Sequence, residues 1–212
     1  MNDLESSRDG TPGADPRPCP PEPDTGNREA LAKDAARLHR EGSAELAAGN
    51  LAAAREKFRA AINRRQALGD RGREAAAWYQ LASIASREGD SRAAGEGFRR
   101  TLELAHAVGD RDVEAAALHQ VGVIAWKKGK RSTGLLLVAV GFGILPSQAS
   151  GDEEKAMTYL AHMAASMGYG LDKLQTLLSE AVAEYDHDGG RSLVDDALSD
   201  APESAGSVFE PV

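Results

Sequence analysis

Side chains that could perform catalysis or bind a metal are few and scattered along the chain. The five histidines form no cluster in the sequence. The single cysteine, Cys19, lies among prolines, away from the fixed electropositive pocket that activates a thiol. Asp186-His187-Asp188 offers three metal-ligating groups, but it stands beside Gly189-Gly190 at a predicted helix end. A solvated turn is the favoured interpretation, and we predict no metal site.

The motifs of common enzyme classes are also absent from the sequence. There is no glycine-rich phosphate loop, no His-Glu-x-x-His zinc motif and no Gly-x-Ser-x-Gly nucleophile motif. One cysteine excludes a disulfide scaffold and a cysteine-rich zinc module. We therefore predict a protein that is not an enzyme, has no catalytic residues and needs no cofactor.

The net charge of −8 is unevenly distributed along the 212 residues. Residues 1–27 contain six acidic and two basic side chains, and residues 184–212 contain eight acidic and one basic. The remaining 22 basic and 19 acidic side chains give residues 28–183 a slight positive charge. The acidic total argues against nucleic acid as a partner, and the basic run Lys127–Arg131 is interpreted as a solvated turn.

Composition separates two tails from a central body. Six of the nine prolines fall between Pro12 and Pro23, so residues 1–27 are predicted to be a disordered, proline-rich acidic tail. Residues 188–212 are predicted to be a second disordered acidic tail, with a short helix conceivable at 192–198. No apolar stretch is long enough to span a bilayer and no signal-peptide pattern opens the chain, so we expect no membrane association and a cytoplasmic location.

The body repeats with a period of 40 residues. Leu68-Gly69-Asp70 recurs as Val108-Gly109-Asp110, and a second turn recurs at Gly49-Asn50, Gly89-Asp90 and Gly129-Lys130. Alanine-rich segments separate these turns, glycine suits a helix C-terminus, and aspartate suits an N-cap. Each repeat is therefore predicted to be a pair of antiparallel helices.

The second repeat resembles a tetratricopeptide repeat, through Trp78, Leu81, Ala82, Gly89, Asp90, Ala94 and Phe98. The third matches at Leu118, Val121, Gly122, Ala125, Gly129, Gly134 and Val138, and the first at Leu38, Gly42, Gly49, Ala54, Phe58 and Ala61. The 40-residue period is similar to that of kinesin light chains, Leu-Gly-Asn adaptors and the sensor domains of bacterial signalling ATPases. The resemblance implies an all-α, right-handed α-solenoid over residues 28–187. It would have three clear helix pairs and a degenerate fourth from Gly151 to Tyr185.

The resemblance also implies a peptide-binding groove on the concave face, lined by the first helix of each pair. The matching positions are His39, Ser43, Tyr79, Ser83, Arg87, His119, Val123, Trp126 and Lys127. His39, Tyr79 and His119 are equivalent and should form a stripe along the groove. Packing between repeats is the alternative for Tyr79 and Trp126.

These features predict an adaptor that binds a peptide or helix of a partner protein, acidic or amphipathic in character because the body is slightly basic. The alternative is a regulatory sensor or an accessory protein of a signalling or biosynthetic system. In that case the acidic C-terminal tail, through Asp195-Asp196, would occlude the groove at Arg87, Lys127 or Arg131. The apolar run Leu135–Leu145 is either buried between helices or the surface of a homodimer.

Overall fold

The computed structural model describes residues 25–143 and 152–201, and within these ranges the chain is helical with no strand. The helices are α1 (Thr25–Ala47), α2 (Leu51–Leu68), α3 (Arg71–Arg87), α4 (Ser91–Val108), α5 (Arg111–Lys127), α6 (Arg131–Gly143), α7 (Asp152–Ser166), α8 (Leu171–Asp188) and α9 (Arg191–Leu198). The all-α prediction is confirmed.

The predicted helix ends follow the 40-residue period. Gly69 and Gly109 close α2 and α4 with φ of 71° and 72°, in the left-handed region that favours glycine. Asp70, Asp90 and Asp110 each accept a hydrogen bond from a backbone N–H three residues later, at 3.2, 2.9 and 3.2 Å. The predicted N-caps of α3, α4 and α5 are therefore confirmed.

The first six helices form three antiparallel pairs. Along α1 and α2, Arg28 donates to the carbonyl of Leu68 at 3.0 Å, and Glu41 pairs with Lys57 at 2.7 Å, so the two helices run in opposite directions. Helices α3 and α4 pack in the same way, as do α5 and α6, and the pairs join through α2 against α3 and α4 against α5.

Small residues allow the third pair to approach closely. A Cβ atom on Gly134 would lie 2.9 Å from the carbonyl oxygen of Gly122 and 2.9 Å from the backbone nitrogen of Trp126. A Cβ on Gly122 would lie 2.7 Å from Val138 Cγ2. Glycine is needed at both positions, because any side chain would push α6 away from α5.

The apolar helix α6 lies in the core of the molecule. Its side chains from Leu135 to Val140 are at most 6% exposed, covered by α5, α8 and α9. Of the two interpretations of Leu135–Leu145, burial between helices therefore holds for residues 135–140 and a homodimer surface does not; Ile144 and Leu145 lie outside the described residues. None of the described helices is long and apolar enough to cross a bilayer.

The C-terminal part departs from the repeat. Helices α7 and α8 touch each other far less than the two helices of each earlier pair, and α8 packs mainly on α6. Helix α9 matches the short helix conceivable at 192–198, and Leu193, Val194 and Ala197 on it are buried. It packs against α4, α5 and α6, so the packed body continues past residue 187, where the sequence ended it. Residues 1–24, most of the first predicted tail, and residues 202–212, less than half of the second, lie outside the described residues.

Candidate functional site

The three equivalent rings of the predicted stripe each pack edge-on against an aromatic ring of the next helix. The pairs are His39–Phe58, Tyr79–Phe98 and His119–Phe142, with ring centres 5.2, 5.4 and 5.7 Å apart. All three stripe residues are half-buried. One side of each ring therefore packs in the interior while the other reaches the surface, and for Tyr79 this combines the groove and the packing interpretations.

Tyr79 and His119 meet at one open pocket of about 380 Å³ between α3, α5 and the end of α6. Phe142 forms its apolar wall, and Asp112 and Gln120 supply its polar groups. Tyr159 of α7 also approaches His119, with the ring centres 6.1 Å apart. His39 does not line this pocket, so two of the three stripe residues are brought together.

The imidazole of His119 sits in a largely apolar setting. Burial lowers its pKa below the usual range, and its Nδ1 atom is buried with no hydrogen-bond partner among the described residues. Burial, followed by the nearby positive charge of Arg65, also lowers the pKa of His39. Both rings therefore favour the neutral form, which suits contact with aromatic or aliphatic ligand groups.

The predicted serines are engaged in hydrogen bonds within their own helices, whereas the predicted basic side chains are exposed. The hydroxyls of Ser43 and Ser83 donate to backbone carbonyls four residues earlier, at 3.0 and 2.8 Å, so their protons are already engaged. Arg87 and Lys127 are exposed in the last turns of α3 and α5. Both therefore present a positive charge to solvent beside the predicted groove.

Trp126 and Val123 complete the predicted set further along α5. Both are half-buried, and the guanidinium carbon of Arg131 lies 5.8 Å from the centre of the Trp126 ring. A cation over an indole face is a stabilising contact. Trp126 therefore has an internal partner in addition to its exposed edge.

Helix α9 occupies a groove between α4, α5 and α6 that the sequence did not predict. Lys130 is 3% exposed and donates to the backbone carbonyl of Asp196, whose carboxylate accepts from the Thr133 hydroxyl at 2.6 Å. Lys128 pairs with Asp200 at 3.1 Å. The predicted contacts of Asp195-Asp196 with Arg87, Lys127 or Arg131 are not observed among the described residues. Part of the basic run Lys127–Arg131 attaches α9.

A second groove lies between α2, α3 and α4 and has a volume of about 700 Å³. Its floor includes Trp78 and Leu81, which are only half-buried. Arg55 and Arg59 form the α2 side. Two large apolar residues on α3, with arginines on the preceding helix, were the available signal for this groove.

In the part of the chain that the structure describes, no group of three or more histidine, cysteine, aspartate and glutamate side chains could hold a metal ion. Cys19 and the side chains of Asp186, His187 and Asp188 lie outside the described residues.

Comparisons of the chain with protein-family models, with curated proteins and with solved structures found no match.

Proposed function

We propose that the protein is a non-enzymatic interaction module, a tetratricopeptide-like α-solenoid that binds a peptide or helix of a partner protein. In this proposal the partner lies along the face of α1, α3 and α5, and the protein acts as a cytoplasmic adaptor. The family resemblance, the three antiparallel helix pairs and the 40-residue period support it.

One observation carries the proposal. Tyr79 and His119 are 40 residues apart in sequence, yet they line one open pocket with Phe142. An accessible aromatic surface with a few polar groups around it is typical of a protein-binding site. The exposed Arg87 and Lys127, near the helix ends of the same face, favour a ligand that carries acidic as well as apolar groups.

The proposal is tested by reversing those two charges. The full chain and its Arg87→Glu/Lys127→Glu variant are used to capture proteins from extracts of the source cells, and bound proteins are identified by mass spectrometry. Affinities of the purified partner are then measured by calorimetry. We expect the double variant to bind at least tenfold more weakly, because exposed charges at an interface steer and select the partner.

The control variant Lys33→Glu/Arg92→Glu changes the net charge by the same amount at positions outside the predicted groove residues. The side chains of Lys33 and Arg92 are 76% and 91% exposed, so their substitution leaves the packing intact. Equal weakening by the two double variants would mean that only net charge matters, and the proposed face would be rejected.

A regulatory role is the second candidate, and the attachment of α9 favours it. Lys128 and Asp200, which hold the end of α9, are at the surface, so a competing ligand has access to that ion pair. A sensor would release α9 when its ligand binds. Hydrogen exchange of residues 191–198 should then accelerate on addition of the partner, whereas unchanged exchange would favour the adaptor role.

A further inference from the structure

No helix of the part of the chain that the structure describes fills the α2–α3–α4 groove, which is therefore named the vacant groove. It and the α9-filled groove are the same feature in successive repeats. Positions lining the vacant groove correspond, 40 residues later, to positions beside α9: Arg59 to Arg99, Ile62 to Leu102 and Gln66 to His106. Trp78 and Leu81 on the vacant floor correspond to Leu118 and Val121, which are 0% exposed in the filled groove. The floor is therefore covered in one repeat and open in the other.

The filled groove shows how a helix binds there. Gly189, Arg191 and Val194 lie beside His106 at the end of α4, whereas Leu198 lies against Gly95 near its start. Helix α9 thus runs antiparallel to α4. It buries Leu193, Val194 and Ala197 and directs Asp196 towards the first turn of α6. Eight residues of amphipathic helix are enough to cover this floor.

The charges of the two grooves differ at several positions, since the vacant groove carries Arg55, Glu96 and Arg100 where Gly95, Leu136 and Val140 stand 40 residues later. The position that binds Asp196 also differs. Lys130 and Thr133, which donate hydrogen bonds to Asp196, correspond to Asp90 and Ala93 in the vacant groove. On the α2 side, Arg59 has no ion-pair partner among the described residues, and Arg55 is paired with Glu88. A second copy of α9 in this groove would place Asp196 beside Asp90, and two adjacent carboxylates repel each other.

We propose that the α2–α3–α4 groove is a docking site for a short amphipathic helix of a partner protein, one that carries a basic residue where α9 carries Asp196. The helix runs antiparallel to α2, covers Trp78 and Leu81 with its apolar face, and pairs its basic residue with Asp90. An acidic residue at the place of Asp195 faces Arg59, because Asp195 lies beside Arg99 in the filled groove. This site is separate from the Tyr79–His119 pocket and does not depend on it.

Two peptides of residues 191–200 test the proposal, one with the natural sequence and one with Asp196→Lys. Both are held helical by a side-chain crosslink between solvent-facing positions, since free helices of this length are marginal in water. Each is titrated into the full chain carrying Trp126→Phe, which leaves Trp78 as the only tryptophan. We expect the lysine peptide to shift Trp78 emission and to bind about tenfold more tightly than the natural one, equivalent to ~1.4 kcal/mol.

Substitutions of two exposed alanines of α4 locate the site. Ala93→Phe fills the groove and should abolish the response, whereas Ala107→Phe, outside the groove, should leave it unchanged. No Trp78 response to either peptide, or equal effects of the two alanine substitutions, would overturn the docking site. Equal affinity of the two peptides would overturn the charge selectivity and point instead to a second copy of this chain.

Discussion

The residue that precedes helix α6 determines how the C-terminal region attaches. Helices α3, α4 and α5 begin after a capping aspartate, but α6 begins after Lys130. At the start of α6 the carboxylate comes from α9 instead, because Asp196 accepts a hydrogen bond from the Thr133 hydroxyl in the first turn of α6. A buried ammonium needs acceptors, and the Asp196 carbonyl and carboxylate provide them to Lys130. The departure from the repeat at residue 130 therefore links two distant segments.

Close packing at Gly134 gives a prediction for stability. Gly134→Ala should lower the free energy of unfolding by about 1–3 kcal/mol, because its Cβ would meet backbone atoms of α5 that cannot move aside. Gly72→Ala is the matched control: its Cβ would meet only Val108 Cγ2 at 3.9 Å, so we expect about 0.4–1 kcal/mol of stabilisation. Urea unfolding measures both. A neutral Gly134→Ala would mean that α5 and α6 are not in close contact.

The half-buried histidines predict a pH dependence. The pKa values of His39 and His119 are lowered in the folded protein, so the unfolded chain binds protons more readily as the pH falls through about 6.5. The stability they contribute is complete above that pH and is lost on acidification. We expect unfolding midpoints in urea to fall more steeply between pH 7.5 and 5.5 for the natural chain than for a His39→Asn/His119→Asn variant. Identical slopes would contradict this origin.

At the scale of elements, helix existence was predictable from the sequence, whereas the mutual arrangement of the last helices was not. Glycine and aspartate signals at residues 69–70, 89–90 and 109–110 act locally, so the ends of α2 to α5 follow from them. The packing of α8 on α6 depends on contacts that are distant in sequence. Helix α8 also contacts α5, where the Tyr185 hydroxyl donates a hydrogen bond to the buried carboxylate of Glu114, and the repeat pattern does not predict this bond.

The packing of α9 in its groove can be tested at Gly95, where a Cβ would lie 2.6 Å from Leu198 Cδ2. The corresponding residue of the vacant groove is Arg55. Gly95→Arg should therefore displace the end of α9 and accelerate hydrogen exchange of residues 191–198, and adding Leu198→Ala should restore part of the protection by making room. Exchange that stays slow in Gly95→Arg would show that α9 does not need this contact.

Across the whole molecule, the predicted repeat organisation accounts for the first six helices but not for the centre of the core. The largest apolar cluster extends from α3 to α9 and is centred on α5 and α6. The first pair contributes only to a small cluster around Phe58, with Ala54 and Ile84. The sequence could not show this imbalance, because α7, α8 and α9, which cover α6 together with α5, lie outside the clear repeats. The candidate site was also predicted only in part. Tyr79 and His119, predicted on one face, share a pocket. The groove over Trp78 and the groove that holds α9 depend on long-range packing and were not predicted.

This imbalance predicts unequal local stability along the chain. Backbone amides of α5 and α6 are covered by α4, α8 and α9, so they should open only when the whole domain unfolds. Helix α1 is covered mainly by α2, and its first residues from Gly26 to Ala30 are exposed, so it should open at a lower free energy. Among the six paired helices, hydrogen exchange with mass spectrometry on the full chain should rank protection as α5 and α6 first and α1 last. If α1 exchanges as slowly as α6, the first pair is held by contacts beyond those to α2, and the three pairs behave as one cooperative unit.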